Sequence, residues 1–562
     1  MARPGRVYPQ VEPGAAALAG GRVVACAGAT PIARALDRAR AAGAGIVVTG
    51  PRQAVRATEL ARAVDWGLGR RAVREVAWRD LPVLPAGASE VEARRCLLAG
   101  ASLVLLRRAG RIVSAVDGET VALVHAESSV QGRLERAGDR HAEARFWLLR
   151  SAGKIGEGLG APVYAVGGFV RDLLLGGEAP DVDLVVEGDG VVFARRLGEE
   201  IGGTVLVHGG FGTASIEGGR APAGPGIDGA PLGRVDVASA RRERYVGAGA
   251  LPDVEPAGLI EDLRRRDFSV NAMAVALGPD RFGHLVDPLG GQRDVRARRL
   301  RVLRPLAFVE DPTRIFRAAR YAARLGLRLD GPTRAAIRLA VAGRSYAALS
   351  GQRLWREIEL VAGEPRARQA FEHLVRWGAV SLLRTSNVDP GYLVAAERLG
   401  RWAKAARVAV DPAELYMLAL LAERPPAAVG RCLDRLALTG EPRARLEAGA
   451  MAGPLARRLE APRLPPSAVD ESLRPVPPAA ALSAWLRGGA RARRRIEWYL
   501  AEGRAVQPRL TGGDLLALGV PRGPQIGRAL AMLRRHRLDG AAGSVAEERE
   551  LVKEWLTSGK EA

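Results

Sequence analysis

The stretch Val163-Tyr-Ala-Val-Gly-Gly-Phe-Val-Arg-Asp-Leu-Leu-Leu-Gly-Gly-Glu-Ala-Pro-Asp-Val-Asp-Leu-Val-Val186 reads as an apolar strand, a glycine pair, a helix and a second strand with an acidic rim. At Gly167 and Gly168 the missing side chains let backbone N–H groups approach a phosphate chain, and the helix N-terminus that follows favours anionic charge. Side chains alternate between the faces of a strand, so Asp181 and Asp183 share one face and their carboxylates converge. Hard oxygen ligands in that arrangement suit Mg²⁺, which keeps most of its waters and bridges to substrate phosphates. Two such ions can activate a hydroxyl and neutralise a departing pyrophosphate in an in-line displacement. Asp236, in Val235-Asp-Val237 on a later strand, is the candidate third ligand. Alone, Gly-Gly is an ordinary turn, and Asp-x-Asp is a solvated strand end or the metal site of a sugar transferase. Their ordered combination within this one stretch points to catalysis.

Two segments downstream carry the same chemistry further. In Leu263-Arg-Arg-Arg-Asp-Phe-Ser-Val-Asn-Ala-Met-Ala274, Arg offers a fork to phosphate and Asp accepts from a ribose hydroxyl, although a capped, salt-bridged helix start is the plainer reading. In Phe308-Val-Glu-Asp-Pro-Thr-Arg-Ile-Phe-Arg-Ala-Ala-Arg-Tyr-Ala-Ala-Arg324, Pro312 suits a first helical turn whose dipole the acidic residues complement. Helical spacing puts Arg314, Arg317, Arg320 and Arg324 on one face, opposite an apolar one, where they can meet phosphate or a base edge. Asp311 with Arg314 is, in isolation, equally an intrahelical ion pair.

Taken together these three segments resemble class II tRNA nucleotidyltransferases and bacterial poly(A) polymerases, of the polymerase β-like superfamily. The resemblance implies that Gly167, Gly168 and Arg171 bind the incoming nucleotide, and that Arg266 and Asp267 contact its ribose and phosphates with Asn271 supporting them. It also implies that Asp311 and Arg314 read the Watson–Crick edge of the base, with Glu310 orienting them and Arg317 and Arg320 alongside. Donors and acceptors on a rigid helix select a base because a wrong one leaves buried polar groups unpaired, at roughly 1–3 kcal/mol each. Ser350-Gly-Gln-Arg-Leu-Trp-Arg-Glu357 resembles a further family element in which Arg353 and Glu357 brace the helices. Leu510 to Gly527 resembles the tail of longer members, where Arg522 and Arg528 would meet RNA phosphates. Ser269 stands where Thr is usual, and a Gly/Pro-rich insertion after Glu217 lengthens a loop that influences nucleotide choice.

The remainder of the chain sets the context. A length of 562 residues calls for several domains. No apolar run approaches the roughly 20 residues of a membrane span. The three cysteines, Cys26, Cys96 and Cys432, lack metal-ligand spacing, and with no secretory leader evident the expectation is a cytoplasmic protein. The formal charge of +22 favours a polyanionic partner, although an Arg-rich composition alone produces it too. Near the start, Ile32 to Val48 and Val91 to Leu105 form a weak internal repeat of helix, glycine turn and strand, with a further strand at Arg111 to Val116. This pair resembles CBS modules, which implies a possible adenosine-nucleotide ligand.

The fold expected is therefore multidomain α/β + α. A CBS-like α/β module spans 1–129 and a helical linker 130–159. A polymerase β-like nucleotidyltransferase head follows over 160–286, then an all-helical neck (287–345), body (346–460) and tRNA-binding tail (461–562). The function expected is template-independent addition of all or part of the CCA end, or only its terminal A, to tRNA from CTP and ATP with Mg²⁺. A poly(A) polymerase is the alternative. A non-catalytic RNA-binding protein would not need the paired aspartates, and a sugar transferase would not need the Arg-rich helices.

Overall fold

The computed structural model describes residues 22–118, 128–135, 140–177, 181–209, 212–222, 229–343 and 346–558. The chain divides into two compact units, residues 1–349 and 350–562. Part of the Gly/Pro-rich insertion, 223–228, lies outside the described residues, as do 119–127 and 136–139 at the expected edges of the linker.

The first unit opens with the internal repeat, and its topology is the same twice. A short strand (Val23–Ala25) leads through a helix (Ile32–Ala41) to a parallel strand (Ile46–Gly50), which turns back into an antiparallel one (Gln53–Arg56). Val83–Pro85, the helix Glu90–Leu98, Leu103–Arg108 and Arg111–Asp117 repeat that order with the same parallel and antiparallel pairings. Ile46, Val48 and Ala54 of the first sheet pack with Leu103, Leu105 and Ala115 of the second around Trp78 and Leu81. Each three-stranded sheet is too small to cover its own apolar face, so the two cover each other.

The head is an eight-stranded mixed sheet. Its order is Thr204–His208, Thr213–Glu217, Val235–Ser239, Val182–Val186, Val163–Val166, Ala274–Ala276, His284–Val286 and Ser128–Ser129. On one side Val166, Val185, Leu259, Leu263 and Ala274 close a buried cluster. On the other, the helix Gly190–Ile201 lays Phe193, Ala194 and Leu197 on the sheet, its first turn capped by the Asp189 carboxylate. The stretch expected as a linker differs from that expectation. Helix Arg140–Gly158 packs against the strand Val163–Val166 and the helix Gly190–Ile201, and Gly153 meets the Leu277 carbonyl so closely that no side chain fits between them. That helix belongs to the wall of the head.

Helices Ala307–Glu310, Thr313–Leu325 and Gly331–Gly343 complete the first unit, so the segment expected as a neck is continuous with the head. The second unit contains α- and 3₁₀-helices and no strand among its described residues. Several helices begin with Pro just inside the first turn, as at Pro390, Pro412 and Pro524, where a missing N–H costs nothing. Among the described residues no helix is long and apolar enough to cross a membrane.

Candidate active site

The glycine pair sits where strand becomes helix. Gly167 has φ +68° and ψ −129°, a backbone shape open to glycine alone, and it turns the chain so that the helix Gly168–Leu175 starts at the strand end. A Cβ on Gly167 would lie 3.0 Å from an Arg266 nitrogen and 3.3 Å from Asp183 Oδ2. The bare backbone, an arginine and a carboxylate therefore face one another across a gap that any side chain would fill.

The acidic rim is set by strand register. Asp236 lies directly opposite Asp183 on the parallel neighbouring strand, and Ser215 lies opposite Asp236 on the next. Asp181 precedes the Asp183 strand and is exposed, whereas Asp183 is half-buried. Burial pushes the Asp183 carboxyl above its ordinary range, the Arg266 guanidinium opposes this, and the charges of Asp236 and Asp181 push it further up. Asp183 thus senses both other carboxylates beside the glycine turn. Among the described residues no three acidic, imidazole or thiol groups are yet gathered round one point. The reason is visible at Asp236, whose Oδ1 accepts from Ser215 Oγ at 2.6 Å and from Arg234 Nε at 2.9 Å. The donor set is all hard oxygen, it borders a glycine backbone, and its strongest repulsion is among its own members, so it fits a divalent cation.

A second cluster lies behind the glycines. Arg171 is buried, donates to Asn271 Oδ1 at 2.7 Å and holds Asp172 at 2.8 Å. Asn271 donates to Asp267, which also accepts the Phe268 N–H at 2.8 Å and pairs with Arg317 at 2.7 Å. Burial would raise the Asp267 carboxyl, but Arg317, Arg314 and Asn271 hold it below its ordinary range. Asp267 is thus a buried hub tying the head to the helix Thr313–Leu325. Arg266 is set by Asp262, which lies one helical turn before it and pairs with it at 3.0 Å and with Arg265 at 2.6 Å.

The base-reading candidates stand on the next element. Asp311 stands just ahead of the helix Thr313–Leu325, accepting from the Thr313 N–H at 3.1 Å and hydroxyl at 2.6 Å. Arg314 is only 6% exposed, donates to Tyr245 OH at 2.9 Å and lies 3.6 Å from Glu310. Glu310 is buried, and although burial pushes its carboxyl up, Arg304 at 2.6 Å and Arg314 hold it below the usual carboxylate range. The open basic face expected here is graded instead. Arg314 is buried, Arg317 and Arg320 are half-buried, and only Arg324 is exposed. The helix is enclosed because Ile315, Phe316, Ala318 and Ala319 leave one side for the core while Asp267, Glu310 and Tyr245 cover much of the other.

Sequence reasoning missed four groups that set these side chains. Ser215 and Arg234 on Asp236 were invisible because they depend on cross-strand register. Tyr245 arrives on the hairpin Arg241–Tyr245 and Pro252–Pro256. Asp262 was legible in principle, since Glu261-Asp-Leu-Arg-Arg-Arg266 places it three and four residues before two arginines. Arg522 and Arg528 lie in the second unit, exposed around the start of the helix Pro524–Leu538.

Residues 163–301 match the family described as the poly A polymerase head domain. An A-adding tRNA nucleotidyltransferase of Geobacter sulfurreducens is 36% identical over 427 residues, 72% of this chain and 46% of that protein. The chain thus spans less than half the length of that relative. A CC-adding tRNA nucleotidyltransferase of Deinococcus radiodurans is 36% identical over 402 residues, 71% of this chain and 90% of that one. Among solved structures, a Thermotoga maritima CCA-adding enzyme complexed with tRNA superimposes with a TM-score of 0.64 at 27% identity, covering 77% of this chain and all of that one (100%). Similarity that runs through head and helices alike, and across nine-tenths of a relative's length (90%), shows that the chain belongs to the tRNA nucleotidyltransferase family.

Proposed function

We propose that this protein adds nucleotides to the 3′ end of tRNA, building all or part of the CCA end from CTP and ATP. The observation that carries the reading is the apposition of Gly167, Asp183 and Arg266, with Asp236 in register beside them. In this reading the triphosphate lies against the bare Gly167–Gly168 backbone, and Arg266 meets its charge. Asp181, Asp183 and Asp236 would hold Mg²⁺, which would supply Lewis-acid activation of the 3′-hydroxyl and charge neutralisation at the leaving group. The RNA 3′ oxygen loses its proton to solvent and bonds to the α-phosphorus, the bond to the bridging oxygen breaks, and pyrophosphate departs with that electron pair.

Arg314 selects the base, with Tyr245 and Glu310 fixing its guanidinium and Asp311 at the same helix start. Arg171, Asn271 and Asp267 position that helix against the phosphate site. The tRNA substrate is supported by relatives named for A-adding and CC-adding enzymes. The CBS-like reading of the N-terminal repeat and a cytoplasmic location belong to the same proposal.

The test is to incubate the full chain and Mg²⁺ with tRNA lacking its last one, two or three nucleotides, supplying CTP and ATP singly and together. Addition that stops at or within CCA supports the proposal, and the length of the ladder identifies a CC-, A- or CCA-adding enzyme. Open-ended adenylation, or no incorporation, contradicts it. In the same assay Arg314→Ala should lower selectivity between correct and wrong nucleotides by about 10- to 100-fold, the scale of one or two unmade buried hydrogen bonds. Unchanged selectivity would remove Arg314 from base reading.

A further inference from the structure

The helical unit, residues 350–562, holds a cavity of about 550 Å³ built wholly from its own residues. Three arginines line it from separate elements. Arg424 comes from the loop before the helix Pro426–Arg435, Arg457 from the helix Gly453–Leu459 and Arg487 from the last turn of the helix Pro478–Arg487. Among the described residues none of the three is in contact with a carboxylate, whereas Arg368, Arg443 and Arg445 of the same unit each hold one or two.

Arg487 carries the deficit furthest. Its Nε and Nη2 are buried and meet no hydrogen-bond acceptor. Burial pulls the guanidinium below its ordinary pKa range, which the neighbouring Tyr392 and Glu423 oppose. A helix C-terminus favours a cation through its dipole, which accounts for an arginine at this position but supplies those two nitrogens with no acceptor. The third nitrogen reaches a neighbouring helix start. A Cβ on Gly453 would lie 3.5 Å from Arg487 Nη1 and 3.7 Å from Arg457 Nη1. Two guanidinium groups therefore converge on the space beside Gly453, where like charges repel unless an anion lies between them. Arg424 adds a buried Nε without a partner, its Nη2 being held by the Asn387 carbonyl at 3.0 Å. The acidic side chains of the lining are engaged elsewhere. Glu460 Oε2 accepts the Ala492 N–H at 3.0 Å in the first turn of the helix Ala490–Ala501, and Glu423 accepts the Tyr392 hydroxyl at 2.8 Å.

We infer that this cavity binds a free phosphate-type oxyanion, orthophosphate or a short polyphosphate, seated beside Gly453 between Nη1 of Arg457 and Nη1 of Arg487. Guanidinium forks suit tetrahedral oxyanions, whose oxygens satisfy several N–H donors at once. The volume falls in the range of small-ligand sites. The lining also exposes Glu423, and a continuous backbone of phosphates would have to pass that charge, whereas a single small anion need not.

The test is amide hydrogen exchange of the full chain, read by peptide mass spectrometry, in orthophosphate and separately in pyrophosphate, each against chloride of equal ionic strength. A bound anion slows exchange through the empty state by one plus the ratio of its concentration to Kd. At about ten times the titration midpoint, peptides spanning 453–459 and 484–489 should therefore slow about tenfold in at least one of the two anions. Arg487→Gln and, separately, Arg457→Gln should each raise that midpoint about tenfold, the loss of one charge-assisted contact. Unchanged exchange in the helix Pro524–Leu538 reports an intact unit, and because Arg457 is exposed its variant carries the test should Arg487→Gln fail to fold. Equal slowing in chloride, an unchanged midpoint in Arg457→Gln, or slowing by 3′-truncated tRNA but by neither anion would each overturn the inference, the last by assigning these arginines to RNA. The readout requires no turnover and lies in peptides outside the head, so it succeeds or fails independently of the incorporation assay.

Discussion

At the scale of single residues the site is a balance between charge and stability. Asp183 is held above its ordinary pKa by burial and by two neighbouring carboxylates. A raised carboxyl means that the folded protein disfavours the charged form. The penalty is complete above the folded pKa and disappears as pH falls through that value towards the unfolded one, about 3.9. Asp183→Asn should therefore melt at a higher temperature than the unsubstituted protein at neutral pH in chelator, and the difference should shrink on acidification. A lower melting temperature at neutral pH would mean the carboxylates do not repel. Gly167 makes the opposite kind of demand. Gly167→Ala strains a φ of +68° and pushes a methyl against Arg266 and Asp183. It should cost about 1–3 kcal/mol in chemical denaturation and remove most nucleotide incorporation, whereas Gly177→Ala, in open surroundings nearby, should do neither.

At the scale of elements, the glycine pair gave the helix start, while Asp181, expected to share a strand face with Asp183, precedes the strand Val182–Val186 and reaches Asp183 through its charge. What alternation could not supply was register. Asp236 became a neighbour of Asp183 only through the parallel pairing of Val235–Ser239 with Val182–Val186, and Ser215 joined through an antiparallel one. Helical spacing likewise identified the row from Arg314 to Arg324 but not its burial, because the covering hairpin and Asp267 are distant in sequence. The internal repeat was legible as helix, turn and strand; its return strand Gln53–Arg56 was not, since four residues between a turn and a helix carry too little pattern. In the second unit the helices Pro466–Leu473 and Pro524–Leu538 are joined by Arg534, which pairs with Asp470 at 2.8 Å with both side chains at most 5% exposed. Arg534 also donates to the Gly503 and Val506 carbonyls. Asp470→Ala leaves that cation buried without its counter-charge and should lower the stability of this unit by about 3 kcal/mol, read from its unfolding in urea. A change below 1 kcal/mol, the scale of an exposed pair, would contradict the burial.

At the scale of the whole molecule, the excess of Arg over acid has two destinations. Part of it is consumed internally, as with Arg171, Arg265, Arg317 and Arg534, each paired with a carboxylate. Part remains outward, as at the exposed Arg522, and is available to a polyanion. Net charge therefore favours a polyanionic partner without indicating which arginines would meet it. The central claim is that catalysis resides in the carboxylates beside the Gly167 turn. The most direct measurement is transfer of labelled nucleotide to 3′-truncated tRNA by the full chain and by Asp183→Ala, with tRNA affinity measured in parallel. Incorporation should fall by on the order of 10³-fold, the scale of losing a group that stabilises developing charge, while affinity stays within a few-fold. Incorporation by Asp183→Ala at the rate of the unsubstituted protein would contradict the account.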